Sequence, residues 1–215
     1  GCSVGGDSLA LAQKVPLLGI DRDALRLAMA QANAAALELS ERLCFVQADL
    51  LRSLPLAAQG NDVALFFDPA RRTESKRTFS VRHYQPPLEV LRRWLERFPA
   101  LGVKISPGVD LAELSSYATE VEFISLRGEL KEAVLWFGPL RSAARRATLL
   151  SSKETAALSL SGEPDAAQAV NAPLSYLVEP DPAILRAGLV ANLAGLTGAF
   201  QLDPSIAYLT ASHPV

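Results

Sequence analysis

Val121-Glu122-Phe123-Ile124-Ser125-Leu126 and Ala133-Val134-Leu135-Trp136-Phe137 are two largely apolar runs, separated only by Arg127-Gly128-Glu129-Leu130-Lys131-Glu132. A parallel pair of strands needs a crossover of about a dozen residues or more, so this gap reads as the turn of an antiparallel hairpin. Upstream the pattern differs. Short apolar runs at Val15–Ile20, Cys44–Ala48, Val63–Phe67 and Leu101–Ile105 suit strands buried on both faces. Helical spacing holds over Asp7–Lys14, over Asp23–Leu39 with Asp23 as N-cap, over Pro87–Phe98, and briefly over Leu111–Ser115. Such alternation implies right-handed crossovers and a parallel sheet. The expected fold is therefore α/β and Rossmann-like, with parallel strands closed by one antiparallel hairpin.

After Gly138, Ala147–Leu150 and Thr155–Leu160 read as further strands, and the stretch from Gly162 to Ala169 as a linker. Leu174–Val178 then suits a strand and Ala183–Leu196 a helix opened by Asp181-Pro182, with proline at its first position. The expected division is a first domain over 1–162 and a small α+β segment over 163–215, too short to hold a core of its own. At 215 residues, 49% hydrophobic and 20% charged, the chain supports one good core plus an appendage. No apolar run reaches the roughly 18–20 residues that span a bilayer, so no membrane partner is expected. Cys2 and Cys44 are too few for a disulfide framework, and no Cys/His spacing suits a metal. A metal-free, cytoplasmic protein is the default expectation. The net charge of −2 means that a nucleic-acid partner would need a local basic patch. The sequence carries no signal of oligomeric state.

Three patterns compete for Gly1-Cys2-Ser3-Val4-Gly5-Gly6-Asp7. It fits a glycine-rich turn between strand and helix, where a ligand approaches bare backbone. It matches the Gly-x-Ser-x-Gly elbow of hydrolases, but His83 and His213, the only histidines, are poorly placed as triad partners. It is also one residue from the dinucleotide fingerprint, against which the closing hairpin counts. Asp21 follows the Val15–Ile20 run, where an acid accepts hydrogen bonds from both ribose hydroxyls of a bound nucleoside. Helix capping is the other role open to it, and Asp23 competes for that role. Asp49 follows the next strand and either accepts an adenine amine or closes a turn. Asp68-Pro69-Ala70-Arg71-Arg72 ends the Val63–Phe67 strand at the switch point where α/β sheets bind ligands. There Asp68 could orient a substrate amine or accept its proton. The basic loop beyond it (Arg71, Arg72, Lys76, Arg77, Arg82 and His83) is either a phosphate grip or a solvated surface. Arg141, Arg145 and Arg146 suit a surface role, and Trp94, Trp136 and Tyr84 read first as packing residues.

Further segments are Gly19-Ile20-Asp21, Gln47-Ala48-Asp49, Val103-Lys104-Ile105-Ser106-Pro107-Gly108, Tyr84-Gln85-Pro86-Pro87-Leu88, and Glu179-Pro180-Asp181-Pro182 with Arg186-Ala187-Gly188. Together with the glycine loop and Phe67-Asp68-Pro69-Ala70-Arg71-Arg72, they resemble a bacterial class I S-adenosylmethionine (SAM)-dependent methyltransferase family with a C-terminal THUMP-like domain. The chain is more distantly similar to trimethylguanosine synthase. A sheet closed by a hairpin is also the order of class I methyltransferases. The resemblance implies a strand immediately before Gly1 and more THUMP-like chain beyond Val215. It assigns Gly1, Ser3 and Gly5 to the cofactor loop, Asp21 to ribose and Asp49 to adenine. Asp68 and Pro69 become the catalytic end of the fourth strand, counting the one before Gly1.

The expected reaction is methyl transfer from SAM to a nucleophile on RNA, with Arg71, Arg72 and Tyr84 as substrate contacts. Amino-directed methyltransferases usually place a second proline and an aromatic residue after the acid. Here Ala70 and Arg71 hold those places, leaving Tyr84 and Phe79 as the candidate rings. That departure supports a rival expectation, an inactive methyltransferase-like fold serving as an RNA-binding or assembly scaffold.

Overall fold

The structure is a computed structural model that describes residues 1–57, 62–71, 79–151, 158–164 and 169–215. The chain forms two compact units, Gly1–Pro99 and Ala100–Val215.

In the first unit, α1 (Gly6–Ala12) leads into β1 (Leu17–Asp21), α2 (Ala24–Ala36) and β2 (Leu43–Gln47). β1 starts after Pro16, which has no amide to give a ladder, and the Leu17 amide donates to the Arg42 carbonyl at 2.8 Å. β1 and β2 pair in parallel, with Asp21 opposite Gln47. Asp23 caps α2, its Oδ1 accepting the amides of Leu25 (2.9 Å) and Arg26 (3.2 Å). The buried side of α2 carries Leu27, Ala30 and Ala34. Ala12, Ala34, Leu39 and Leu43 form a small core, with Leu9, Leu17 and Phe45 against it. Gly19 makes room for Phe45, because a Cβ there would lie 2.6 Å from the ring. β3 (Leu65–Phe67) follows, and Phe67 meets Trp94 of α3 (Leu91–Leu95) edge to face at 5.0 Å. The helix expected over Pro87–Phe98 is thus a 3-10 turn at Leu88–Val90 continued by the short α3.

The second unit contains β4 (Leu101–Ile105), β5 (Glu120–Leu126), β6 (Glu129–Phe137), β7 (Arg145–Leu150) and β8 (Leu158–Gly162). These five run in the spatial order β4-β6-β5-β7-β8. β6 is antiparallel to both β4 and β5, β5 is parallel to β7, and β7 is antiparallel to β8. The hairpin is tighter than the apolar runs suggest, since Leu126 already pairs with Glu129. Arg127 (φ 54°) and Gly128 (φ 77°) both take the left-handed conformation, as a two-residue turn that follows the strand twist requires.

Leu101, Val103, Leu135, Phe123 and Ala147 are fully buried in this sheet. α4 (Pro182–Ala187) packs on β5 and β7, with Asp181 accepting the Ala183 amide at its start. The Arg186 guanidinium lies 5.1 Å from the Phe123 ring and donates to the carbonyls of Pro107 and Val109. The single helix expected over Ala183–Leu196 is divided, because left-handed Gly188 (φ 72°) ends α4 before α5 (Val190–Thr197) begins. β9 (Tyr176–Val178), β10 (Phe200–Asp203) and β11 (Ile206–Ala211) make a second sheet in the order β10-β11-β9. The sequence pattern assigns no element to β10 or β11. A small core of Ala194, Ala199, Leu209 and Ala211 joins this sheet to α5, which the composition of the segment did not suggest.

Candidate functional site

The Gly1–Gly6 loop is held from two sides. Cys2 donates its amide to the Ile20 carbonyl of β1 at 2.8 Å, and Asn33 of α2 donates its Nδ2 to the Val4 carbonyl at 3.0 Å. Ser3 adopts φ 51°, in which its amide points at Asp21 and donates to Oδ2 at 2.8 Å. Asp21 Oδ1 accepts the Asp23 amide at 3.0 Å, so one carboxylate ties the glycine loop to the start of α2. Gly1 has to be glycine beside this carboxylate, since a Cβ would fall 2.3 Å from Oδ2. Asp21 is only 5% exposed. Burial pushes its pKa up, but the amides of Asp23 and Ser3 outweigh that and hold it below the usual value.

An open cleft of about 940 Å³ lies within the first unit. Gly1, Ser3, Asp21, Asp49, Asp68, Pro69 and Arg71 line it, so seven of the residues singled out in the sequence converge on one space. Asp49 also closes a turn, accepting the Leu51 amide at 3.0 Å, and its carboxylate lies 3.7 Å from the Arg52 guanidinium. Its two sequence roles are compatible in this geometry. Beyond β3, Ala70 and Gln85 form an antiparallel bridge, each amide donating to the other's carbonyl at 3.0 Å. This clamps the Asp68-Pro69 turn against Gln85-Pro86-Pro87, three residues that also line the cleft.

Three expected site residues stand apart. Gly5 is buried and starts α1 in the left-handed conformation (φ 96°), accepting the Leu9 amide at 2.7 Å; it is not among the lining residues. Tyr84 is 2% exposed and packs in the core rather than facing the cleft. Arg72 lies outside the described residues, as do Lys76 and Arg77.

The pattern reading missed Arg22, Arg26, Ala48, Leu50, Leu51 and Ala70 as wall residues, and gave Gln85, Pro86 and Pro87 no role. Most of these flank an acid already singled out, so adjacency could have found them. The Gln85–Pro87 segment enters only through its bridge to Ala70. The cleft thus offers Asp21 and Asp49, suited to hydroxyl and amine donors, with Leu50 and Leu51 as apolar surface. It also contains the Asp68 carboxylate, three prolines, the Gln85 carboxamide and Arg71. Among the described residues, no group of three or more His, Cys, Asp and Glu could hold a metal ion, and no helix is long and apolar enough to cross a membrane.

No family model matches the chain. Two curated relatives, from two strains of Mycobacterium tuberculosis, are each named as an uncharacterized S-adenosylmethionine-dependent methyltransferase. Each is 39% identical over 216 aligned positions, covering 97% of this chain and 56% of the relative. The chain therefore spans about half the length of the curated relatives it matches. A crystal structure from Porphyromonas gingivalis, provisionally described as a methyltransferase, aligns with 99% of this chain and 56% of its own. Its TM-score is 0.74 at 20% identity, a likeness of fold, and the mixed α/β architecture is Rossmann-like.

Proposed function

We propose that this chain forms the SAM-binding and catalytic part of a methyltransferase acting on RNA. The observation that carries the reading is Asp21, whose two oxygens each accept one backbone amide in a cleft shared with Asp49 and Asp68. An ionised carboxylate has about four lone-pair sites, so roughly two remain for the two hydroxyls of a ribose. Gly1, without a side chain beside that carboxylate, leaves the backbone open to the rest of the molecule. The residues fit a SAM nucleoside, with Asp21 at the ribose and Asp49 at the adenine amine. The 39% identity to relatives named for this activity supports the same assignment.

When bound, SAM supplies a methyl group already electrophilic on its sulfonium. The protein's part is then mainly alignment. Asp68, following β3, orients the acceptor and takes up the proton its nucleophile sheds. Pro69 ends strand pairing and turns the backbone into the cleft. Arg71 offers a bidentate grip for a phosphate of the acceptor, with Arg72 next to it in sequence. We further assign residues 1–162 to the methyltransferase domain and those from Glu163 onward to a THUMP-like segment, in a cytoplasmic protein.

The test uses the full-length protein, calorimetry with SAM, and transfer of labelled methyl onto total RNA and total protein. Asp68→Ala should keep SAM affinity within about threefold and lose transfer by about a hundredfold or more. Full activity in that variant would remove Asp68 from the chemistry, and label on protein alone would replace RNA as the acceptor. A second reading, an inactive RNA-binding or assembly scaffold, draws on the lack of any aromatic side chain among the described residues lining the cleft. SAM binding without transfer to anything would favour it.

A further inference from the structure

Among the described residues, none lining the cleft carries the stacking ring that amino-directed methyltransferases usually have, and what stands beside Asp68-Pro69 instead is specific. Tyr84 is buried and anchors the start of the Tyr84-Gln85-Pro86-Pro87 segment. The paired 3.0 Å bonds between Ala70 and Gln85 then fix the Gln85 backbone opposite the residue that directly follows Asp68-Pro69. Gln85 is exposed, lines the cleft, and its carboxamide has no hydrogen-bond partner among the described residues. Pro69, Pro86 and Pro87 line the same space as apolar residues, while Ala70 has only a methyl side chain.

We propose that Gln85 determines acceptor specificity by reading the edge of a nucleobase that carries an exocyclic amine. This rests on the methyltransferase reading above. A carboxamide offers one acceptor and one donor side by side, which matches an amine next to an unprotonated ring nitrogen. The ionised Asp68 carboxylate only accepts. One amine hydrogen goes to Gln85 Oε1 and the second to Asp68, while Gln85 Nε2 donates to the ring nitrogen. Adenine and cytosine satisfy this array. Uracil and hypoxanthine, which have no exocyclic amine, leave Asp68 without a donor. The pyrrolidine rings supply apolar contact surface for the base in place of an aromatic side chain.

The test uses full-length protein labelled with 15N at glutamine and saturated with S-adenosylhomocysteine, so that added nucleotides meet only the acceptor end. AMP and CMP should move the Gln85 side-chain resonances, identified by their loss in Gln85→Ala, while IMP and UMP at equal concentration leave them in place. Gln85→Glu, nearly isosteric and still able to form the backbone bridge, should keep S-adenosylhomocysteine affinity within twofold and weaken AMP and CMP at least tenfold. Equal shifts with AMP and IMP, or none with any nucleotide, would overturn the proposal. So would a Gln85 resonance that responds only to S-adenosylhomocysteine, which would place the residue in the donor half. If the unsubstituted protein does not bind S-adenosylhomocysteine in calorimetry, the methyltransferase reading itself has failed. Should Gln85→Glu not fold, the resonance shifts of the unsubstituted protein still decide.

Discussion

Asp21 carries two loads at once. It braces the glycine loop through the Ser3 amide and the start of α2 through the Asp23 amide, and it faces the cleft. Asp21→Asn strikes both loads, because one carboxylate oxygen becomes an NH2 group that cannot accept an amide. Leaving a buried amide unpaired costs roughly 1–3 kcal/mol. We expect a lower melting temperature together with a SAM affinity reduced at least tenfold. Thermal melts and calorimetry on the same preparation check both, and undiminished affinity would remove Asp21 from the ribose. At this scale the sequence marked Asp21, Asp49 and Asp68 because acids after strand ends stand out in the pattern. It gave packing as the first role of Tyr84, in keeping with its burial, but it could not show that Gly5 serves the start of α1. The Gly5 role depends on a backbone conformation (φ 96°) that is set only once the neighbouring segments have packed.

The β5–β6 hairpin shows how a turn sets an element. Its two central residues, Arg127 and Gly128, both lie at positive φ, and a Cβ at Gly128 would meet nothing within 4 Å. Gly128→Ala therefore tests backbone conformation alone and should cost about 1 kcal/mol. Arg127→Asn should stabilise slightly, since asparagine tolerates the left-handed region and Asn-Gly is the preferred pair for such turns. Urea unfolding of the two variants measures both effects; a neutral Gly128→Ala would mean that the turn can relax to another type. On α2, Asp23→Ala should cost about 1 kcal/mol through loss of the cap, with the Asp21 hydrogen bond to the Asp23 amide retained. The hairpin was legible because six residues cannot hold a crossover. The α4–α5 break was legible in principle, through Gly188 after Arg186-Ala187. β10 and β11 were not, since each is short and makes its place only by pairing with another strand.

At the scale of the molecule, buried carboxylates govern the response to acid. Glu120 is fully buried on β5, and its Oε2 accepts the amides of Ser142 (2.6 Å) and Ala143 (2.9 Å). The Arg146 guanidinium lies 2.7 Å from its other oxygen. Burial raises the Glu120 pKa, but these amides and the guanidinium outweigh it, leaving it below its ordinary 4.5; Asp21 likewise sits below its ordinary 3.8. A carboxylate with a lowered folded pKa adds stability that is present above its ordinary value and lost as pH falls through the folded one. The urea midpoint should thus fall as pH drops below about 4.5. Glu120→Gln should be less stable at pH 7 yet lose less on acidification, and an unchanged acid slope would exclude Glu120 from the effect. The sequence by itself determined the alternation of strands and helices, the antiparallel β5–β6 hairpin, and the acids that follow strand ends. These are local properties, written in periodicity, loop length and residue type. The hairpin does not close the sheet, however, because β7 and β8 extend it beyond β5. Only the tertiary structure decided that Asp21 is shared between loop and helix, that Gln85 stands opposite Ala70, and that Glu120 is buried against Ser142, Ala143 and Arg146. Apart from the local bond between Asp21 and the Asp23 amide, these pairings join residues 15 or more positions apart through main-chain amides or opposed charges, and such groups acquire specific partners only when the chain has folded.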